Sequence, residues 1–182
     1  MATSRRAGAT LITLVLGAGM LAGAPARADA RSTGRHCVVV LGAAPAAGRQ
    51  AAAVARRPRA RCFATFTQAQ GWANGGRAGG GARAPRIRSS RVLGVLHEHA
   101  DFGGASLTLA GGAGCGRGSV ARYDLTGLFD GETSAAEARS GCHQLLLFDN
   151  ADATGSFVAC APTCSWVGRA MNDRASAVVV KG

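Results

Sequence analysis

The stretch His97-Glu98-His99 is where this sequence first suggests chemistry. Alternate residues of a strand share a face, so two imidazoles with a carboxylate between them suit a metal ion or a general base. No third ligand is identifiable, and Ser, His and Asp occur without a nucleophile-elbow motif or other catalytic setting. A structural role is therefore favoured for the stretch, and the chain reads as a non-enzyme. The other reactive residues are six cysteines: Cys37, Cys62, Cys115, Cys142, Cys160 and Cys164. They form no Cys-x2-Cys pair and no Cys/His cluster of the zinc type.

The cysteines are to be read by compartment. Arg5 and Arg6 precede an apolar run from Leu11 to Leu21 and the small-residue stretch AGAPARADA. That is the pattern of a signal peptide over residues 1–28, with a cut after Ala28 or after Ala30. The run is shorter than the roughly 20 residues of a membrane span, so a secreted, extracellular protein without a transmembrane segment is expected. In an oxidising compartment an even cysteine count implies three disulfides. Cys37–Cys62 would close one loop, and Cys160-Ala-Pro-Thr-Cys164 one tight turn, which leaves Cys115–Cys142.

The net charge of +11 is unevenly distributed. Residues 29–91 hold twelve Arg and one acid, whereas residues 92–182 hold six basic residues and nine acids. The basic part divides into a small segment, 29–74, and a Gly/Arg-rich linker, 75–90. Without interleaved aromatic residues the linker lacks platforms for base stacking, so no specific nucleic acid is expected as partner. Within 29–74, CVVVLG and RCFATF read as short strands, and TQAQGWAN as a short helix stopped by Gly75.

From Arg91 onward, VLGVLHE, ASLTLAG, HQLLLFD, SFVAC and SAVVV are strand-like runs between Gly, Asp and Asn turns. The sequence also matches itself. Residues 97–109 align with 148–160 at an offset of 51, and 129–135 with 171–177 at an offset of 42. Two copies, about 91–138 and 142–182, are what a double Greek key requires. Neither is large enough to bury a core alone, so they should pack face to face. The expected fold is all-β, two Greek-key motifs packed as a sandwich. The repeat sets Phe148-Asp149-Asn150 where copy one has His97-Glu98-His99, which again makes these positions leading into a turn.

The turns carry a resemblance. His97, Phe102 and Gly104 in copy one, and Phe148 and Gly155 in copy two, resemble the βγ-crystallin signature of an aromatic, four residues, an aromatic, any residue, then Gly. His replaces the first aromatic in one copy, and Ala153 the second in the other. The family's calcium signature is two Asn/Asp residues, two variable ones, Ser or Thr, then Ser. Asn172-Asp173-Arg174-Ala175-Ser176-Ala177 and Asp130-Gly131-Glu132-Thr133-Ser134-Ala135 resemble it, each ending in Ala. The resemblance implies Ca²⁺ as cofactor, with Asp130, Ser134, Asn172, Asp173 and Ser176 as ligands. Gly131 supplies only a carbonyl and weakens one site. An all-oxygen set suits Ca²⁺ and serves Zn²⁺ or Cu²⁺ poorly.

These features imply a monomeric, secreted structural or binding module of the βγ-crystallin type, in which the two stretches either bind Ca²⁺ weakly or keep the scaffold without the metal, their Asn, Asp and Ser serving only the turns. An alternative is an inhibitor of a secreted protease, since a metalloprotease-inhibitor family shares this fold; CAPTC would be the loop it presents. An antimicrobial or toxin-like protein is a third reading, resting only on the basic leader.

Overall fold

The structure is a computed structural model that describes residues 35–41, 60–75, 90–112 and 114–182. The expected signal peptide, residues 1–28, and most of the 75–90 linker lie outside the described residues. Among those described, no helix is long and apolar enough to cross a membrane.

Copy one contributes β3 (Arg91–His99), β4 (Gly103–Gly111), β5 (Val120–Asp124) and β6 (Ala135–Ala138). Copy two contributes β7 (Gln144–Phe148), β8 (Phe157–Cys160), β9 (Thr163–Cys164) and β10 (Ala177–Lys181). The third strand of each copy crosses to the other copy's sheet. One sheet runs β4-β3-β6-β9 and the other β8-β7-β10-β5. This is the expected double Greek key, and the exchange of third strands makes each copy depend on the other for a complete sheet.

The inner faces supply one core. Leu96, Leu107 and Leu109 meet Leu145, Leu147, Val178 and Val180, all at most 1% exposed. Phe129 and Met171, equivalent under the 42-residue offset, close its end and are both 2% exposed. Because side chains alternate across a strand, β3 should send only every second residue inward. A bulge between Val92 and Gly94 interrupts its register, so Leu93 and Leu96 join the inner core while Val92 and Val95 join an outer cluster.

The outer cluster belongs to the segment that precedes the linker. There, β1 (His36–Leu41) runs parallel to β4, with His36 opposite Ser106 and Leu41 opposite Gly111. Antiparallel to it lies β2 (Arg61–Phe63). The helix α1 (Phe66–Ala73) starts where Thr65 Oγ1 accepts the Gln68 N–H at 3.2 Å. Its Ala69, Trp72 and Ala73 pack on Val38, Val92, Val95 and Ala110, on the outside of the first sheet. The described residues of the 29–74 segment, 35–41 and 60–74, thus extend the first sheet and roof its outer face. Three disulfides join Cys37–Cys62, Cys115–Cys142 and Cys160–Cys164.

Candidate metal site

The two turns that lead toward the site have one backbone. Gly104 and Gly155 take φ of +74° and +83°, and Phe102 and Ala153 take +62° and +59°. In copy one the His97 ring packs edge-on against Phe102, with centroids 5.5 Å apart. Copy two has Ala153 there, and the contact is replaced across the strands: Phe148 stacks on Phe157, its register partner, at 5.4 Å. Sequence reasoning missed Phe157, because its partnership depends on strand register and not on the turn.

A side chain at Gly104 would meet Glu98 Oε2 and His99 Cδ2, both at 2.9 Å. Glu98 Oε2 is already committed, accepting the Ala105 N–H at 2.9 Å. Gly104→Ala should therefore cost about 1–2 kcal/mol through left-handed backbone strain and crowding. Gly112→Ala is the control, since no atom lies within 4 Å of the added carbon. Urea midpoints for the two variants check this; equal shifts would refute it.

The same geometry decides the role of His97-Glu98-His99. A register shift between His97 and His99 breaks the alternation that would align two imidazoles. His97 is buried, Glu98 half-buried and His99 exposed. Among the described residues no three His, Cys, Asp or Glu side chains converge to hold a metal ion. Burial lowers the pKa of His97, against the opposing charge of Glu137.

The signature-bearing stretches, 130–134 and 172–176, lie side by side and are related by an approximate twofold. Gly131 N–H donates to Ala175 O at 3.0 Å, and Asp173 N–H donates to Thr133 O at 3.2 Å. These are the same bond under the 42-residue offset. Likewise Ser134 N–H donates to His97 O at 2.9 Å, and Ser176 N–H to Phe148 O at 2.8 Å. Each stretch is therefore tied to the first residue of its own copy's turn signature. Gly131 and its counterpart Asp173 both have positive φ, +64° and +55°. Asp tolerates that conformation better than most residues, which is why the repeat can alternate Gly and Asp at one position.

The side chains pair across the copies. Ser176 Oγ donates to Asp130 Oδ1 at 2.6 Å, and Ser134 Oγ donates to Asp173 Oδ1 at 3.3 Å. The Asn172 amide donates to Asp173 Oδ2 at 2.6 Å. The five residues singled out from the sequence thus fall into two clusters, Asp130 with Ser176, and Asp173 with Ser134 and Asn172. Every cluster member presents oxygen, and each cluster has one carboxylate.

More negative charge lies beside the first cluster. Desolvation raises the pKa of Glu132, with the charges of Glu98 and Asp130 adding to it and Arg35 opposing. Arg35 Nη2 lies 3.7 Å from Glu132 Oε2.

The strand exchange defines an all-β double Greek key. Among solved structures, the chain is similar to a βγ-crystallin domain from Clostridium beijerinckii, at 22% identity and a TM-score of 0.39, covering 49% of this chain and 97% of that one. It is also similar to a βγ-crystallin domain from Flavobacterium johnsoniae, at 18% identity and a TM-score of 0.38, covering 50% and 96%. The N-terminal domain of Protein S is similar at 17% identity and a TM-score of 0.38, covering 49% and 96%. No family model and no curated protein matches the chain.

Proposed function

We propose that the chain works outside the cell as a non-catalytic βγ-crystallin-like module that takes Ca²⁺ at the contact between its two copies. The observation that carries this reading is the reciprocal pairing of a serine from one copy with a carboxylate from the other. A hydroxyl donating to a carboxylate can rotate and present its oxygen to a cation instead. Asp130 and Ser176 would hold one ion, and Ser134, Asn172 and Asp173 the other, with backbone carbonyls completing each set. The ion would offset the carboxylate charge and cross-link the two copies, giving stability rather than catalysis. With one carboxylate per cluster, affinity belongs at the weak end, roughly 0.1–1 mM, of extracellular Ca²⁺ modules.

Binding to the folded state alone raises stability by mass action. At ten times Kd a single site contributes about 1.4 kcal/mol, or about 3–5 °C in Tm for a domain of this size. Ca²⁺ at about 10 mM should give that shift, EGTA should reverse it, and Asp173→Asn should reduce it. Absence of both a thermal shift and calorimetric heat at that concentration would remove Ca²⁺ from the function.

The protease-inhibitor alternative has less support in the loop it relies on. Ala138 N–H donates to Pro162 O at 2.7 Å, and β9 pairs with β6. The backbone around CAPTC is thereby committed to the sheet rather than free to extend along a protease cleft.

A further inference from the structure

A cleft of about 320 Å³ opens on the outer face of the first sheet, where α1 begins. His36, Phe66, His97, Phe102, Glu137 and Arg139 line it. Three strands supply His36, His97 and Glu137, and strand register puts them on one face. His36 on β1 and His97 on β3 both oppose Ser106 on β4, and Glu137 on β6 opposes Val95 of the outer cluster. Phe66 is the first residue of α1, so the roofing helix also builds a wall of the cleft.

Its chemistry is unusual for a packing defect. His97 is 4% exposed, and its Nε2 has no hydrogen-bond partner. Glu137 Oε1, which faces it as an ion-pair partner, is 3.5 Å away, too long for a sound hydrogen bond. Glu137 is fixed from its other oxygen by Arg139, at 2.5 Å. Phe66 and Phe102 both contact the His97 ring, with centroids 5.9 and 5.5 Å away.

A buried polar atom without a partner is costly, so the cleft has a place for a group that both donates and accepts. Charge narrows the class. Arg139 disfavours a metal cation, and the Glu137 carboxylate disfavours a phosphate or a carboxylate ligand. Carboxylate and guanidinium balance one another, which leaves a neutral ligand with hydroxyls and an apolar face. A sugar hydroxyl can donate to Glu137 Oε1 while accepting from His97 Nε2, and the ring C–H face can lie on a phenyl ring. The volume is at the small end for ligand pockets. We propose that this cleft binds a neutral saccharide, with one pyranose ring on Phe102 and its hydroxyls bridging Glu137 and His97.

Saturation-transfer NMR on the oxidised chain tests this, with methyl glycosides of glucose, galactose, mannose and N-acetylglucosamine, and with cello- and chito-oligosaccharides. Transfer from a methyl glycoside identifies a free sugar as ligand, and transfer only from oligomers identifies a glycan chain; either supports the site. Phe102→Ala is the main variant, because copy two already carries Ala153 at the same backbone position. It should weaken binding at least about tenfold through loss of the stacking face. Glu137→Gln, checked for folding by circular dichroism, should weaken it about tenfold through loss of a charged hydrogen bond. No transfer from any probe, or transfer unchanged in Phe102→Ala, overturns the proposal. So would binding of Zn²⁺ or inorganic phosphate in place of sugar. None of the side chains assigned to Ca²⁺ lines the cleft, so repeating the measurement in EGTA separates the two assignments.

Discussion

Replacing both Cys115 and Cys142 by serine should lower the unfolding free energy by about 3.5 kcal/mol. The bridge spans 27 residues, and the chain-entropy relation gives that figure for a loop of such length. Its position adds to the expectation. It ties Cys115, on the connection from β4 in one sheet to β5 in the other, to the turn before β7. Cys142 is 5% exposed within the inner core, and Gly182 N–H donates to Ser119 O at 3.1 Å beside the bridge. Loss of the cross-link therefore frees the crossover and loosens the C-terminal end of β10. The Cys160/Cys164 double serine is the comparison. Its bridge spans only 4 residues, so the same relation predicts a smaller loss, about 2 kcal/mol. Urea unfolding of both variants measures the difference, and equal losses would show that loop length is not what sets the contribution.

The double Greek key was legible from the sequence for a physical reason. A repeat at two offsets places two turn glycines and two Asx-Ser stretches in equivalent positions, and backbone geometry obliges those residue types to recur. The strands that escaped sequence reading are β5, β6 and β9. VARYD buries only Tyr123, TC is just two residues long, and AAEA is buried throughout without an apolar period. Small residues suffice in β6 because strands flank it on both sides and helix and sandwich cover its sheet. The five oxygen-bearing residues were likewise visible, because their spacing is local. Their partition into two cross-copy clusters was not, since it depends on how the copies pack. The cleft was invisible altogether. His36, Phe66, His97 and Glu137 come from four separate elements, and no spacing along the chain relates them. Only the parallel docking of β1 on β4 brings His36 level with His97.

That docking gives the second large effect. Trp72→Ala should cost about 3–4 kcal/mol, the usual range for removing a large buried aromatic. Trp72 is 9% exposed and packs at 5.8 Å from the Phe63 ring, with the Arg61 guanidinium 5.6 Å over its face. The loss should not be shared evenly. An eight-residue helix is far below the length that is stable in water by itself, so α1 exists because this face is buried. Beyond the apolar cluster it is held by the Gln70 Nε2 donation to Thr108 Oγ1 at 2.8 Å and by Ser90 Oγ donating to Ala73 O. Removing the indole should therefore release α1 locally before the sandwich unfolds. Hydrogen exchange would show it as near-complete loss of protection at Asn74 N–H, which donates to Gln70 O at 3.0 Å, with β7 and β10 still protected. Retained protection at Asn74 would sink the argument. Release of α1 also carries Phe66 away from the cleft, so saccharide binding should weaken in this variant although Trp72 does not line the cleft. Ca²⁺ stabilisation, built entirely from the two copies of the repeat, should survive it.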